Sequence, residues 1–233
     1  MPERNSAPDL DISAEGFETG ALYRDDTDRM IMRSSRYLII NQGILGTTMA
    51  AIARAAGISR PTLYARYPNL DAIVRQVLNL EIIGLLECAF PIANDVDSLI
   101  ESVIAVAEKA VDNELLTSII QHDPEALVTY QYKRLGRSQK TLIRFTRNII
   151  SKLQSAEPEP GGRCIRRDDP EVLAAFVLAT TQAVALQSKA LVSVLSERAD
   201  WKQELGKILE GYLVHVRVDT QSECGPQLGT PDE

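Results

Sequence analysis

Between Gly43 and Val74 the chain writes two short helix patterns joined by a tight turn and followed at once by a third helix start, which leaves few alternatives to a compact three-helix unit. Thr47 or Thr48 can cap the first short helix, in which Met49, Ile52, Ala53 and Ala56 recur on one face. Gly57 follows directly, and glycine most easily takes the left-handed conformation that ends a helix. Ser59 caps the second helix, with Ile58 before the cap and Leu63 four positions after it, the spacing of a hydrophobic staple that fixes the entry angle. Pro61 falls in the first turn, where its missing amide hydrogen costs no intrahelical bond.

These residues resemble the amino-terminal domain of the tetracycline-repressor (TetR) family, in which a threonine-initiated helix, an Ala-Gly-Val/Ile-Ser turn and a Thr-Leu-Tyr recognition helix recur. Here they read Thr47-Thr48, Ala56-Gly57-Ile58-Ser59 and Thr62-Leu63-Tyr64, with Tyr67 as the following aromatic and a helix opening near Asn69. The match spans about fifty residues. Leu70 departs from it, standing where the family usually has a lysine that helps hold a phosphate, and Ile44 stands where the family prefers an aromatic. The resemblance implies an all-α fold of about nine helices, a helix-turn-helix DNA-binding domain plus a larger helical ligand-binding and dimerisation domain.

The net charge of −7 speaks against a nucleic-acid partner only if read over the whole chain. From Arg29 to Arg75 seven arginines (29, 33, 36, 54, 60, 66 and 75) face one acid, Asp71, a local charge of +6. The first 28 residues instead carry eight acids against two arginines and little apolar material, the composition of a disordered tail. Three cysteines lie far apart and only His122 and His215 could join them, so neither a disulfide framework nor a metal spacing is visible, and no cofactor is expected. Without a signal segment, and with Ile82 to Leu86 as its longest greasy run, the chain is expected to be cytoplasmic and free of the membrane.

Four segments are expected: an acidic tail at 1–26, the DNA-binding domain at 27–78, an effector-binding and dimerisation domain at 79–218, and a flexible tail at 219–233. Thr27 or Asp28 should open a first long helix that Gly43 stops, and Asn69 should cap a fourth that joins the domains, with Ile73, Val77, Leu80 and Gly84 on one side. Helices over Asp95 to Val111, Glu114 to His122, Pro124 to Leu135 and Gly136 to Gln154 follow from apolar spacing. No run alternates like a strand, and Glu157 to Arg167, with two prolines and two glycines, reads as a loop. Asp168-Asp169-Pro170-Glu171 is a strong helix start. From Val172 to Leu195 the only charge is Lys189, so more than one face must be buried. Trp201 to Val216 reads as a last amphipathic helix, and the resemblance implies that helices within 168–195 and 201–216 build a homodimer.

The candidate DNA-binding residues are Thr47, Thr48, Arg60, Pro61, Thr62, Tyr64, Ala65 and Tyr67. Arg60 opens the recognition helix, where a guanidinium can donate two parallel bonds to guanine or hold a phosphate. Pro61 and Ala65 offer apolar surface to a thymine methyl, Thr62 can bond base or phosphate, and Thr48 joins a cap to an anion site. Tyr64 matches a phosphate-holding position of the family, while Tyr67 reads equally as a phosphate contact or as a core ring with its hydroxyl at the edge. Arg29, Arg33 and Arg36 line one helix face, either toward phosphates or simply in solvent. The family's pocket helices suggest His122, Tyr130, Tyr132, Arg144, Phe145, Gln182 and Gln187 as effector-binding candidates, and abundant aliphatic residues lean toward a lipophilic small molecule.

Together these readings imply a homodimeric transcriptional regulator, most simply a repressor released from double-stranded operator DNA by a small-molecule effector. The rival is a protein-interaction module with a decayed reading head, for which Leu70 and the acidic tail speak. Catalysis has no players: two unrelated histidines, no glycine-rich phosphate loop and no nucleophile elbow leave no catalytic residue to name.

Overall fold

The computed structural model describes residues 23–86, 93–125, 137–156, 163–195 and 200–215. Among these, nine helices dominate: α1 Asp26–Gly46, α2 Met49–Ala55, α3 Arg60–Arg66, α4 Leu70–Leu86, α5 Val96–Val111, α6 Glu114–His122, α7 Arg137–Ser155, α8 Pro170–Leu195 and α9 Trp201–Leu213. The all-α reading therefore stands. Each early boundary has its own polar cause. Asp25, not Thr27 or Asp28, caps α1 by accepting the Asp28 amide at 2.8 Å. Thr48 accepts the Ala51 amide at 3.2 Å, Ser59 the Thr62 amide at 3.2 Å, and Asn69 the Ala72 amide at 2.9 Å. Gly57, at φ 67°, makes the α2–α3 turn in a conformation that side chains resist.

Two apolar clusters organise the molecule. The first gathers Ile31, Met32 and Ile39 of α1, Ile52 and Ala53 of α2, Leu63 of α3 and Ile73, Val74 and Val77 of α4. Leu115 and Ile119 of α6 complete it, so α6 packs into the same core as the three short-helix residues. The buried residues of α4 are Ile73, Val74, Val77, Asn79, Ile83, Leu85 and Leu86, while Gly84 is exposed and Leu80 half-buried. The second cluster joins α5, α7, α8 and α9 through Leu99, Phe145, Ile150, Leu173, Val177, Leu205 and Leu209.

The absence of strands in the sequence reading needs correction. Cys164–Ile165 (β1) pairs antiparallel with Val214–His215 (β2), Cys164 opposite His215, so α9 ends at Leu213 and the expected loop contains a strand. Two residues are too few for alternation to show, and the pairing forms only because α9 returns the chain to α7, where Gln154 Nε2 donates to the Arg166 and Asp168 carbonyls. A second correction concerns apolar length. Pro170–Val194, within α8, has a mean hydropathy of 1.3 over its most apolar window, enough by length and composition to cross a bilayer, with 28% of that window buried in this chain. Of the expected helix over 124–135 only Pro124 and Glu125 are described, both helical, and of the expected tail at 1–26 only residues 23–26, which form the bend and cap that open α1; the end of the fourth helix beyond Leu86 and the tail at 219–233 lie outside the described residues.

Ile150 is fully buried in the middle of α7. Ile150→Ala is expected to lower the unfolding free energy by about 2 to 5 kcal/mol, read from urea unfolding followed by circular dichroism; a loss well under 1 kcal/mol would place this side chain outside the core.

Candidate nucleic-acid interface

The surface of α3 follows from what its one inward residue does. Leu63 is wholly buried between α1, α2 and α4, which turns Arg60, Pro61, Thr62, Tyr64 and Ala65 outward, all of them exposed. Tyr64 presents half of its surface (52%) to solvent. The Thr62 hydroxyl lies 2.7 Å from that of Ser59, fastening the first turn. Thr48 is exposed at the start of α2, its hydroxyl already accepting one orphan amide and leaving a lone pair and a proton for a further partner. Six of the eight sequence-predicted residues thus lie together on the exposed side of the two short helices and their caps.

Thr47 and Tyr67 are turned inward. Thr47 is 2% exposed, and its hydroxyl donates to the Gly43 carbonyl at 2.7 Å while its amide goes to Ile44. Both polar groups are spent on the α1–α2 turn, so this residue positions Thr48 and offers no contact surface of its own. Tyr67 is 5% exposed, and its hydroxyl donates to Asp28 at 2.5 Å. Burial, then the bond to that carboxylate, pushes the phenol far above its ordinary range, so it remains a donor. The Arg24 guanidinium covers the Tyr67 ring at 5.5 Å from its centre. Asp25 meanwhile holds Arg66 through two parallel bonds of 2.9 and 2.8 Å. That pairing, followed by the Asp28 amide, keeps the Asp25 carboxyl below the usual carboxylate range. The end of α3 is therefore latched to the start of α1 by two carboxylates.

Charge is distributed more narrowly than the sequence count implied. Arg29 pairs with Asp26, Arg36 with Glu81, Arg66 with Asp25 and Arg75 with Asp71. Of the seven arginines only Arg33, Arg54 and Arg60 are without a carboxylate partner among the described residues. The basic stripe on α1 is accordingly divided: Arg36 faces α4, where its bidentate bond to Glu81 (3.0 Å each) raises its own pKa, and Arg33 alone stays uncommitted. Glu81 also accepts from Asn113 Nδ2 at 2.6 Å, and Asn113 caps α6 through the Leu116 amide.

Among the described residues, only His122 of the effector candidates lines either of two clefts. His122 lies at the end of α6, its Nδ1 3.0 Å from the Ser118 carbonyl, and lines a cleft of about 410 Å³ with Ile40, Val111, Thr117, Gln121 and Lys189. A larger cleft of about 770 Å³ runs between α4 and α5 past Glu81, Gly84, Glu108 and Asp112. Phe145 belongs to the second core cluster, Arg144 is exposed, Gln182 is half-buried, and Gln187 is exposed and bonded back to the Ala183 carbonyl. Tyr130 and Tyr132 lie outside the described residues. The sequence reading missed Glu81, Asn113, Ser118 and Asp123, which carry polar contacts between helices, and it took Gly43 only as a helix stop, not as the place where α6 approaches α1.

Two short capped helices joined by a glycine turn, the second exposing an arginine and a tyrosine over a buried leucine, define a helix-turn-helix DNA-binding unit. Comparison with known proteins agrees. The profile of "Bacterial regulatory proteins, tetR family" matches residues 31–77. HTH-type transcriptional regulators of Mycobacterium tuberculosis and Mycobacterium bovis are each 32% identical over 190 residues, 82% of this chain and 96% of theirs. A TetR-family regulator from Pectobacterium atrosepticum shares the fold at a TM-score of 0.58, with 17% identity over 83% of this chain and 99% of that one. The chain belongs to the TetR family and is a DNA-binding transcriptional regulator.

Removing only the Tyr67 hydroxyl leaves Asp28, 1% exposed, short of a buried donor. Tyr67→Phe is expected to destabilise the protein by about 1 to 3 kcal/mol in chemical denaturation, whereas Tyr64→Phe should leave stability unchanged; equal effects of the two would contradict the inward placement of Tyr67.

Proposed function

We propose that this regulator is a homodimeric repressor whose two α3 helices enter successive major grooves of a near-palindromic operator, and that a small molecule bound in the helical core releases it. The observation that carries the DNA half of this reading is the exposed set Thr48, Arg60, Pro61, Thr62, Tyr64 and Ala65, held on capped helices, with Arg33 and Arg54 also exposed and without a carboxylate partner among the described residues. In this reading Arg60 addresses a base, Thr48 and Tyr64 hold phosphates, and Thr47 and Tyr67 act only by fixing the surface. Residues 27–78 form the reading head and 79–218 the effector and dimerisation domain. A regulator meeting its DNA works in the cytoplasm and needs no catalytic group.

The dimer half rests on α8. Val172, Phe176, Ala179, Ala183, Leu186 and Ala190 recur at intervals of three and four and all lie exposed, forming one apolar stripe along a helix whose opposite face is core. Ile208 of α9, 48% exposed, lies in the neighbouring helix, and the Phe176 and Tyr212 rings approach to 6.2 Å between the two. A second copy pairing the same surface about a twofold axis would cover this stripe, which also accounts for the apolar length of α8. The two heads must then stand about 34 to 36 Å apart to meet one face of the duplex. An effector that favours a different spacing disfavours the operator by the same factor. The aliphatic interior favours a lipophilic effector.

Iterative selection from random duplexes should enrich a palindrome bound by dimers, with affinity falling as salt rises. Arg60→Ala is expected to weaken the selected site by about 1 to 3 kcal/mol and to relax preference at one position per half-site. Retention of full specificity would remove Arg60 from base reading. Failure to enrich any sequence would favour the interaction-module alternative. Separately, Phe176→Glu combined with Leu186→Glu should yield monomers in sedimentation equilibrium; a persistent dimer would move the interface elsewhere.

A further inference from the structure

We infer that Asp123, at the end of α6, is the residue through which the helical core and the reading head sense one another, because its carboxylate caps a separate last turn of α1 that leads into Thr48. This rests on the head being a DNA reader, as proposed above, and assigns the regulation of that site to a particular contact.

Helix α1 is not continuous. Gly43 has φ 74° and ψ 174°, so the helix breaks there and one further turn, Ile44 to Gly46, begins afresh. A break exposes carbonyls before it and amides after it, and when buried each needs a partner. Helix α6 supplies both kinds. Upstream, the Ser118 hydroxyl lies 2.8 Å from the Ile40 carbonyl and 3.2 Å from that of Ile39. Downstream, Asp123, only 4% exposed, accepts the amides of Ile44 at 2.5 Å and Leu45 at 3.3 Å. The carboxylate is thus the N-terminal cap of a turn that lies 79 residues earlier in the chain.

From that turn the connection to the interface is short. Thr47 returns its amide to the Ile44 carbonyl and its hydroxyl to the Gly43 carbonyl, and the next residue, Thr48, caps α2. Withdrawing the carboxylate would leave the Ile44 and Leu45 amides without their acceptor, and the turn that sets Thr48 would have to repack. The contact also has no slack. A Cβ on Gly43 would stand 2.6 Å from Asp123 Oδ2 and 2.9 Å from His122 Cβ. At the opposite end of α6, Asn113 is tied through Glu81 to Arg36 of α1. Helix α6 is therefore pinned to α1 near both ends, and only the Asp123 end adjoins the residues that face DNA. A shift of α6 imposed by an occupant of the core reaches the head there first, and by reciprocity operator binding must be felt in α6.

That reciprocity permits a test without an effector. Amide deuterium exchange over Glu114–His122 is followed in the full-length dimer, alone and saturated with a selected operator duplex, for the wild type, Asp123→Ala, Asp123→Asn and Gly43→Ala. In the wild type the duplex should slow α6 exchange about 5-fold or more. In the Asp123 variants, and in Gly43→Ala, which displaces the same carboxylate from the other side, the duplex should still bind at higher concentration while the α6 response largely disappears. Asp123→Asn keeps the side-chain size, so a folded variant remains available if the alanine is unstable. A wild-type α6 that ignores the duplex, or an undiminished response in folded Asp123→Asn, overturns the inference while leaving DNA binding intact. A wild type that selects no duplex overturns the DNA reading, and this coupling with it.

Discussion

The exposed face that defines this protein is carried by two helices of seven residues each, α2 and α3, and a helix that short does not persist on its own in water. Everything around them exists to make up the deficit. Caps at Thr48 and Ser59 satisfy orphan amides, and Ile52, Ala53 and Leu63 bury the inner faces against α1 and α4. The latch from Arg66 and Tyr67 to Asp25 and Asp28 fixes the far end. Burying a leucine such as Leu63 is worth about 1.5 to 3 kcal/mol, comparable to a cap and a buried hydrogen bond together, so orientation of α3 is shared among several modest terms. The reading surface is consequently a property of the whole head, and through Leu115 and Ile119 of α6 as well.

This distribution explains what could be read from the sequence and what could not. Helix periodicity, caps and the Gly57 turn are local, so the elements of the head and their outward residues were legible. Tyr67 was ambiguous because an aromatic at that position fits a core or a phosphate, and the deciding partner, Asp28, lies 39 residues away. Thr47 and Thr48 are adjacent and chemically identical; only the break at Gly43 turns one inward and leaves the other at the surface. The β1–β2 pair and the α6 contacts depend on chain return and on side chains between 30 and 80 positions apart, for which one sequence carries no periodic sign.

Charge teaches a related lesson. A count of +6 over Arg29 to Arg75 correctly located the basic segment, but pairing decides which cations remain to meet a phosphate. Arg36 and Arg66 are committed to carboxylates in bidentate geometry, and those bonds position helices rather than ligands. Leu70 removes a further cation where the family places a lysine. In the proposed reading, recognition leans on Arg60, on the neutral donors Thr48, Thr62 and Tyr64, and on fit, more than on Arg36 and Arg66.

The same economy of charge bears on how core and head communicate. In the proposed reading, contacts to DNA made by neutral donors are sensitive to small displacements, since a polar contact weakens steeply once its distance and angle leave the normal range. Thr48 is proposed as such a donor, and its place is set by a turn whose amides are satisfied from the end of α6. A continuous α1 would have needed no such help; the glycine break exchanges a local helix bond for bonds to another helix, and in doing so makes the head's geometry conditional on the core. Stability alone gives no reason for that exchange, because an unbroken helix satisfies its own backbone at lower entropic cost. Conditional geometry is what a regulator requires.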